Sequence, residues 1–160
     1  MASLTVTSNL FSEGSTIPRS AAHGYAGGDN ISPDLAWTGV PEGTASLALA
    51  CHDPDAPTTV GFTHWLLFDL DPEAFLEGGA GAAGKNPPGS VLGFTDWGAS
   101  EYGGMAPPAG DPAHHYRFTV YALDVAKLDG AGPTTTYALF RFLIRGHVLA
   151  EGTLTGLFQA

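Results

Sequence analysis

A chain of 160 residues is long enough for one domain with a sizeable buried core, and its 16 acidic against 6 basic residues give a net charge of −10. That balance, with no Lys/Arg cluster, argues against binding nucleic acid or an anionic membrane surface, both of which need a positive footprint. A single cysteine, Cys51, excludes an internal disulfide, and no apolar run is long enough to span a membrane as a helix. Residues 1–10 carry neither a basic nor an apolar leader segment, so no secretory signal is expected and the cytoplasm is the expected compartment.

Taken in chain order, Leu4, Val6 and Ser8 alternate with polar partners, as in a short strand. Residues 12–44 form a long Gly-, Pro-, Ser- and Asn-rich stretch anchored by Ile31, Leu35, Trp37 and Val40. A loop of that length is usually functional or held by its own contacts. Residues 46–52 and 62–70 read as strands. The second is apolar on both parities, as expected for a strand covered on both faces. Residues 71–90 and 96–113 are Gly/Pro-rich loops around a short strand at 91–94. Residues 115–123 give the clearest strand, with Tyr116, Phe118, Val120 and Ala122 on one face. Residues 134–144 form the one clear helix, with Leu139, Phe142 and Leu143 as its apolar stripe, and 148–157 a final strand. The pattern predicts a single domain over residues 1–160. It is all-β in class, mainly β with one or two helices, arranged as an antiparallel β-sandwich.

The residues able to do chemistry cluster at strand ends. Asp53-Pro54-Asp55-Ala56-Pro57 closes a strand. It is a turn by composition, but two prolines also make it stiff enough to hold a carboxylate in place. His64 shares strand parity with Leu66, Phe68 and Leu70. If its strand runs antiparallel to the one ending at Asp53, the two meet, and the carboxylate would orient the imidazole and raise its pKa. His114 and Tyr116 face the core side of their strand, while His115 and Arg117 face away. The preceding segment, Gly103-Gly104-Met105-Ala106-Pro107-Pro108-Ala109-Gly110, could bring backbone N–H groups close to an anion. It lacks the Lys-Ser/Thr of a Walker motif. Cys51 reads as a small core residue and His147 as a helix-end residue. No histidine pair has metal-ligand spacing, so neither a metal nor a cofactor is expected.

These segments together resemble the phosphatidylethanolamine-binding protein family, in its bacterial Raf-kinase-inhibitor-like branch. Four ordered motifs carry the resemblance: Ser32-Pro33-Asp34-Leu35-Ala36-Trp37, Asp53-Pro54-Asp55-Ala56-Pro57, Gly61-Phe62-Thr63-His64-Trp65, and the stretch over 102–116. The resemblance implies a β-sandwich whose pocket accepts phosphate, phosphoryl head groups or small carboxylates. It places Asp53, Asp55, Phe62, His64, Gly104, Pro107, Pro108, His114 and Tyr116 at that pocket. The chain departs from the family pattern at His115, where relatives have arginine, and at Met105 and Ala106, where they have proline or glycine. The family's C-terminal tyrosine has no secure match, with Phe158 the nearest aromatic.

Three functions compete. A non-catalytic binding module for a small anion comes first. An enzyme using Asp53, His64 and His114 for acid–base work on a small metabolite comes second. A kinase or protease inhibitor comes third. The expected partner is a small anionic ligand, and a homodimer or an unspecified protein partner stays open. If imidazolium groups attract the anion, its affinity should fall between about pH 6 and 8.

Overall fold

The computed structural model describes residues 2–160. Its elements, in chain order, are β1 (Ala2–Ser3), β2 (Thr5–Thr7), β3 (Ala36–Thr38), β4 (Ser46–Asp53), β5 (Phe62–Leu70), β6 (Val91–Leu92), β7 (His114–Leu123), α1 (Tyr137–Leu143) and β8 (Val148–Phe158). Six strands form one sheet in the order β1-β8-β7-β4-β5-β6, and β2 pairs with β3 in a separate ribbon. β1 runs parallel to β8, and the other neighbours in the large sheet are antiparallel.

The mainly-β expectation therefore holds, but the antiparallel sandwich needs correction. The large sheet is mixed, and what faces it is a two-stranded ribbon with long loops rather than a second full sheet. The reason lies in composition, because residues 12–44 lack the sustained period-two apolar pattern a further sheet would need. That segment docks through individual contacts instead. Ile17 N donates to Leu157 O at 2.8 Å, Leu35 and Leu76 exchange backbone hydrogen bonds at 2.9 Å, and both Ile17 and Leu35 are fully buried.

Strand parity divides the core in two. Leu47, Leu49, Cys51, Trp65, Leu67, Tyr116, Phe118 and Val120 face the loop layer. Ala48, Ala50, Leu66, Phe68, Tyr121 and Leu123 face α1. The helix is shorter than the expected 134–144 span. Thr135 closes a turn with Gly132, and Thr136 caps the helix by accepting from Leu139 N at 3.3 Å. Its inward residues are Phe140 and Ile144; of the expected stripe only Leu143 packs against this core, whereas Leu139 and Phe142 are exposed. His147 bonds Asp124 at 2.7 Å across the loop that joins β7 to α1 and β8.

Candidate functional site

The pocket forms where β4 ends and β5 and β7 begin. Asp53 is the last residue of β4 and pairs with Phe62, the first of β5. Its carboxylate is fixed from two sides. Oδ1 accepts from Asp55 N at 2.8 Å, the local turn expected of an Asp-Pro-Asp sequence. Oδ2 accepts from His114 Nδ1 at 2.7 Å.

His64 enters by a route that parity alone does not give. Cys51 pairs with Trp65 and His52 with Thr63, so His64 is the additional residue of a β-bulge. The bulge turns its ring away from the face of Leu66 and Phe68, onto the side of Phe62 and Tyr116, with ring centroids at 4.9 and 5.2 Å. Its Nδ1 donates to Gly103 O at 2.8 Å and Gly104 O at 3.1 Å. This fixes the tautomer and leaves Nε2 as a bare acceptor with no partner among the described residues. Burial holds the imidazole down, to a pKa of about 4, against the opposing pull of the Gly103 carbonyl and the Asp53 charge. Burial thus reverses the expected upward shift: the Asp53 charge still pulls the pKa up, but its carboxylate bonds to His114 instead of His64 and does not offset the desolvation.

His114 is the cation of the site. Burial alone would lower its pKa, but hydrogen bonds to Asp53 and Asp111, and the charges of both, raise it. Nε2 lies 2.9 Å from Asp111 Oδ2, so both ring nitrogens donate to carboxylates. Tyr116 stays protonated, its phenol pushed up by burial and then by the Asp53 charge.

A cavity of about 240 Å³ opens onto these groups. Asp53, Phe62, His64, Pro107, Pro108, His114 and Tyr116 line it, together with Ala56, Pro57, Thr58, Trp97 and Ala106. Two of the expected site residues stand outside. Asp55 turns outward and holds His115, accepting from its backbone N and its Nδ1, both at 2.7 Å. The histidine at the position of the family's arginine therefore still meets an acidic partner. Gly104 lies behind the wall. Its N donates to Asn30 Oδ1 at 2.7 Å and its carbonyl receives His64, so it positions the histidine and offers no free N–H to a ligand. The glycine is required because a Cβ there would lie 2.2 Å from Ala21 O. At neighbouring Gly103 a Cβ would lie 2.0 Å from the Trp97 ring. Of the other departures from the family pattern, Met105 fills the core and Ala106 faces the cavity.

Trp97 and Asp111 escaped the sequence reading. Trp97 stacks on His23 at 4.1 Å and meets Phe62 edge-on at 5.2 Å, forming a wall held from the long N-terminal loop. Neither its loop nor that of His23 has a periodic pattern to place it. Asp111 had a weak signal in its position three residues before His114.

The profile of the phosphatidylethanolamine-binding protein family matches residues 7–159. The chain belongs to this family. It is 37% identical to UPF0098 protein YbhB of Escherichia coli over 98% of this chain and 100% of that one. Its fold matches the crystal structure of E. coli YbcL, described as a member of the mammalian family, with a TM-score of 0.94 and 36% identity over 99% of both chains. CT736 of Chlamydia trachomatis, whose structure is described provisionally as that of a phosphatidylethanolamine-binding protein homolog, matches with a TM-score of 0.84 and 31% identity over 100% of this chain and 99% of that one. No helix among the described residues is long and apolar enough to cross a membrane. A relative in Mycobacterium tuberculosis, 38% identical over 77% of this chain and 57% of its own length, has a name that assigns it provisionally to the lipoproteins. The expected cytoplasmic location is therefore not carried over from relatives.

Proposed function

We propose that this pocket binds a small oxyanion (phosphate, a phosphoryl head group or a small carboxylate) and acts as a binding module. The observation that carries the reading is His64, 4% exposed, whose Nε2 has no protein partner among the described residues, on a cavity that the Asp53–His114 pair, Thr58, aromatic rings and prolines complete. An imidazole nitrogen left free of protein partners at a cavity is available to a ligand group, and a hydrogen bond made there away from bulk water is worth more than one at the open surface. The cavity suits one small head group. The charge of His114 is already balanced by Asp53 and Asp111, so the remaining attraction centres on His64 taking up a proton with the anion.

The same geometry argues against the acid–base enzyme. A proton shuttle needs a nitrogen free to exchange with substrate. Both nitrogens of His114 are bound to carboxylates, which leaves His64 without a second active imidazole.

Calorimetric titration with inorganic phosphate tests the proposal. The expected Kd lies between the low-millimolar and micromolar ranges, roughly 4–8 kcal/mol. His64→Ala should weaken binding about tenfold or more, as expected for losing a hydrogen bond to a charged group. Unchanged affinity at this site would overturn it. His114→Ala is the poorer probe, since it leaves the buried Asp53 carboxylate unpaired.

A further inference from the structure

A second concavity lies on the opposite face of the sheet. We infer that the cleft between β7, β8 and α1, bounded by Arg117, Arg141, Thr119 and Thr153, is a separate binding site for a phosphate-type oxyanion.

The cleft has a volume of about 330 Å³. His52, Tyr121, Tyr137 and Glu151 complete its lining. Register explains the assembly. His52 pairs with Arg117, Thr119 with Thr153 and Tyr121 with Glu151, so three successive rows of the sheet present polar side chains on the face that α1 leaves uncovered. Tyr137 and Arg141, one turn apart on α1, close the side.

Two features point to an anion. First, the charge is concentrated. The chain has six Lys and Arg residues, and two of them line this one cleft. The ion pairs among the described residues all use histidine as the cation, so neither arginine is neutralised by a carboxylate within 4.0 Å. Glu151 is the cleft's only acidic residue.

Second, hydrogen-bond donors outnumber acceptors. Arg141 Nη1 donates to the hydroxyls of Tyr121 and Tyr137, each at 3.4 Å, and those hydroxyls lie 3.1 Å apart. One phenol donates to the other, and an arginine cannot accept, so one phenolic proton has no acceptor among the described residues. Thr119 and Thr153 face each other at 2.8 Å with the same result. Arg117 adds a guanidinium fork with no protein partner among the described residues. Guanidinium and hydroxyl donors converging from three elements fit an acceptor-rich tetrahedral anion. Arg141 is held for this role with its Cζ 5.8 Å from the centroid of the Tyr121 ring.

The inference is independent of the His64 pocket, and the two can be tested together. Backbone amide NMR during titration with inorganic phosphate at constant ionic strength reads both faces. Saturable shifts are expected at Thr119, Thr153 and Tyr137. Arg117→Gln, an exposed change that leaves the sheet intact, should weaken that set about tenfold. Arg141→Gln should act in the same direction, with a thermal melt to check α1. His64→Ala should leave this set unchanged while altering shifts around Phe62 and Tyr116. Linear, unsaturable shifts at Thr119 and Thr153, or wild-type affinity in both arginine variants, would overturn the site.

Discussion

Asp53→Asn is expected to lower the unfolding free energy by about 3 kcal/mol, the low end for removing one partner of a buried ion pair. For a chain of this length that is a fall in Tm of roughly 6–12 °C. Asp53 and His114 are 2% and 3% exposed, so water screens their interaction little. An asparagine oxygen can still accept from Asp55 N, which preserves the turn. Its amide nitrogen, however, donates where His114 Nδ1 also donates. The variant's His114 pKa should therefore fall, and the deficit should depend on pH. A histidine whose folded pKa is raised stabilises fully below its unfolded value near 6.5 and loses that contribution as pH rises through the folded value. The gap between wild type and variant should thus be widest near pH 6 and narrow in alkali. Thermal melts across pH, with ring NMR of His114, measure both effects. A gap independent of pH would show that the Asp53–His114 pair does not carry the difference.

Sulfate should bind the pocket more tightly as pH falls, with uptake of close to one proton. Sulfate itself does not titrate in this range, so the linkage reports on the protein. Free His64 is held near pKa 4 by burial, and an anion against Nε2 favours its charged form. Between about 4 and the higher pKa of the complex, the bound state therefore holds a proton that the free state lacks. Affinity should rise by up to about tenfold per pH unit as pH falls through that window, then level off below it. The decline with rising pH thus belongs to a window that opens near pH 4. The expected interval of pH 6–8 assumed a free imidazole raised by Asp53, which the structure does not support. Calorimetry in two buffers of different ionisation enthalpy gives affinity and proton uptake together. Tight binding without proton uptake would assign the attraction to some group other than His64.

What the sequence revealed follows from where periodicity is strong. β5 matches its expected residues, and β4 and β7 match to within one, because alternation and turn residues mark both ends. Asp53, His64, His114 and Tyr116 fall on those strands, so the pocket could be located from the sequence. The bulge at His64 could not, since one additional residue in a strand leaves no compositional mark yet changes which face the ring occupies. Proximity of Asp53 to two histidines was legible, but the choice between them depends on side-chain geometry. The loop walls were the least visible part. Trp97 and Gly104 are placed by contacts with His23 and Asn30, more than 70 residues away in the chain, through a segment without periodicity.

The central claim is that a small oxyanion docks against His64 Nε2. Long-range proton–nitrogen NMR of the histidine rings at pH 6, recorded while sulfate is added, tests it most directly. Without sulfate, His64 should show the pattern of a neutral ring protonated at Nδ1, and His114 that of an imidazolium. Sulfate should convert the His64 pattern to that of a protonated ring, saturably, and leave His114 cationic. A His64 ring that keeps its neutral pattern at sulfate concentrations that saturate the protein would contradict the account.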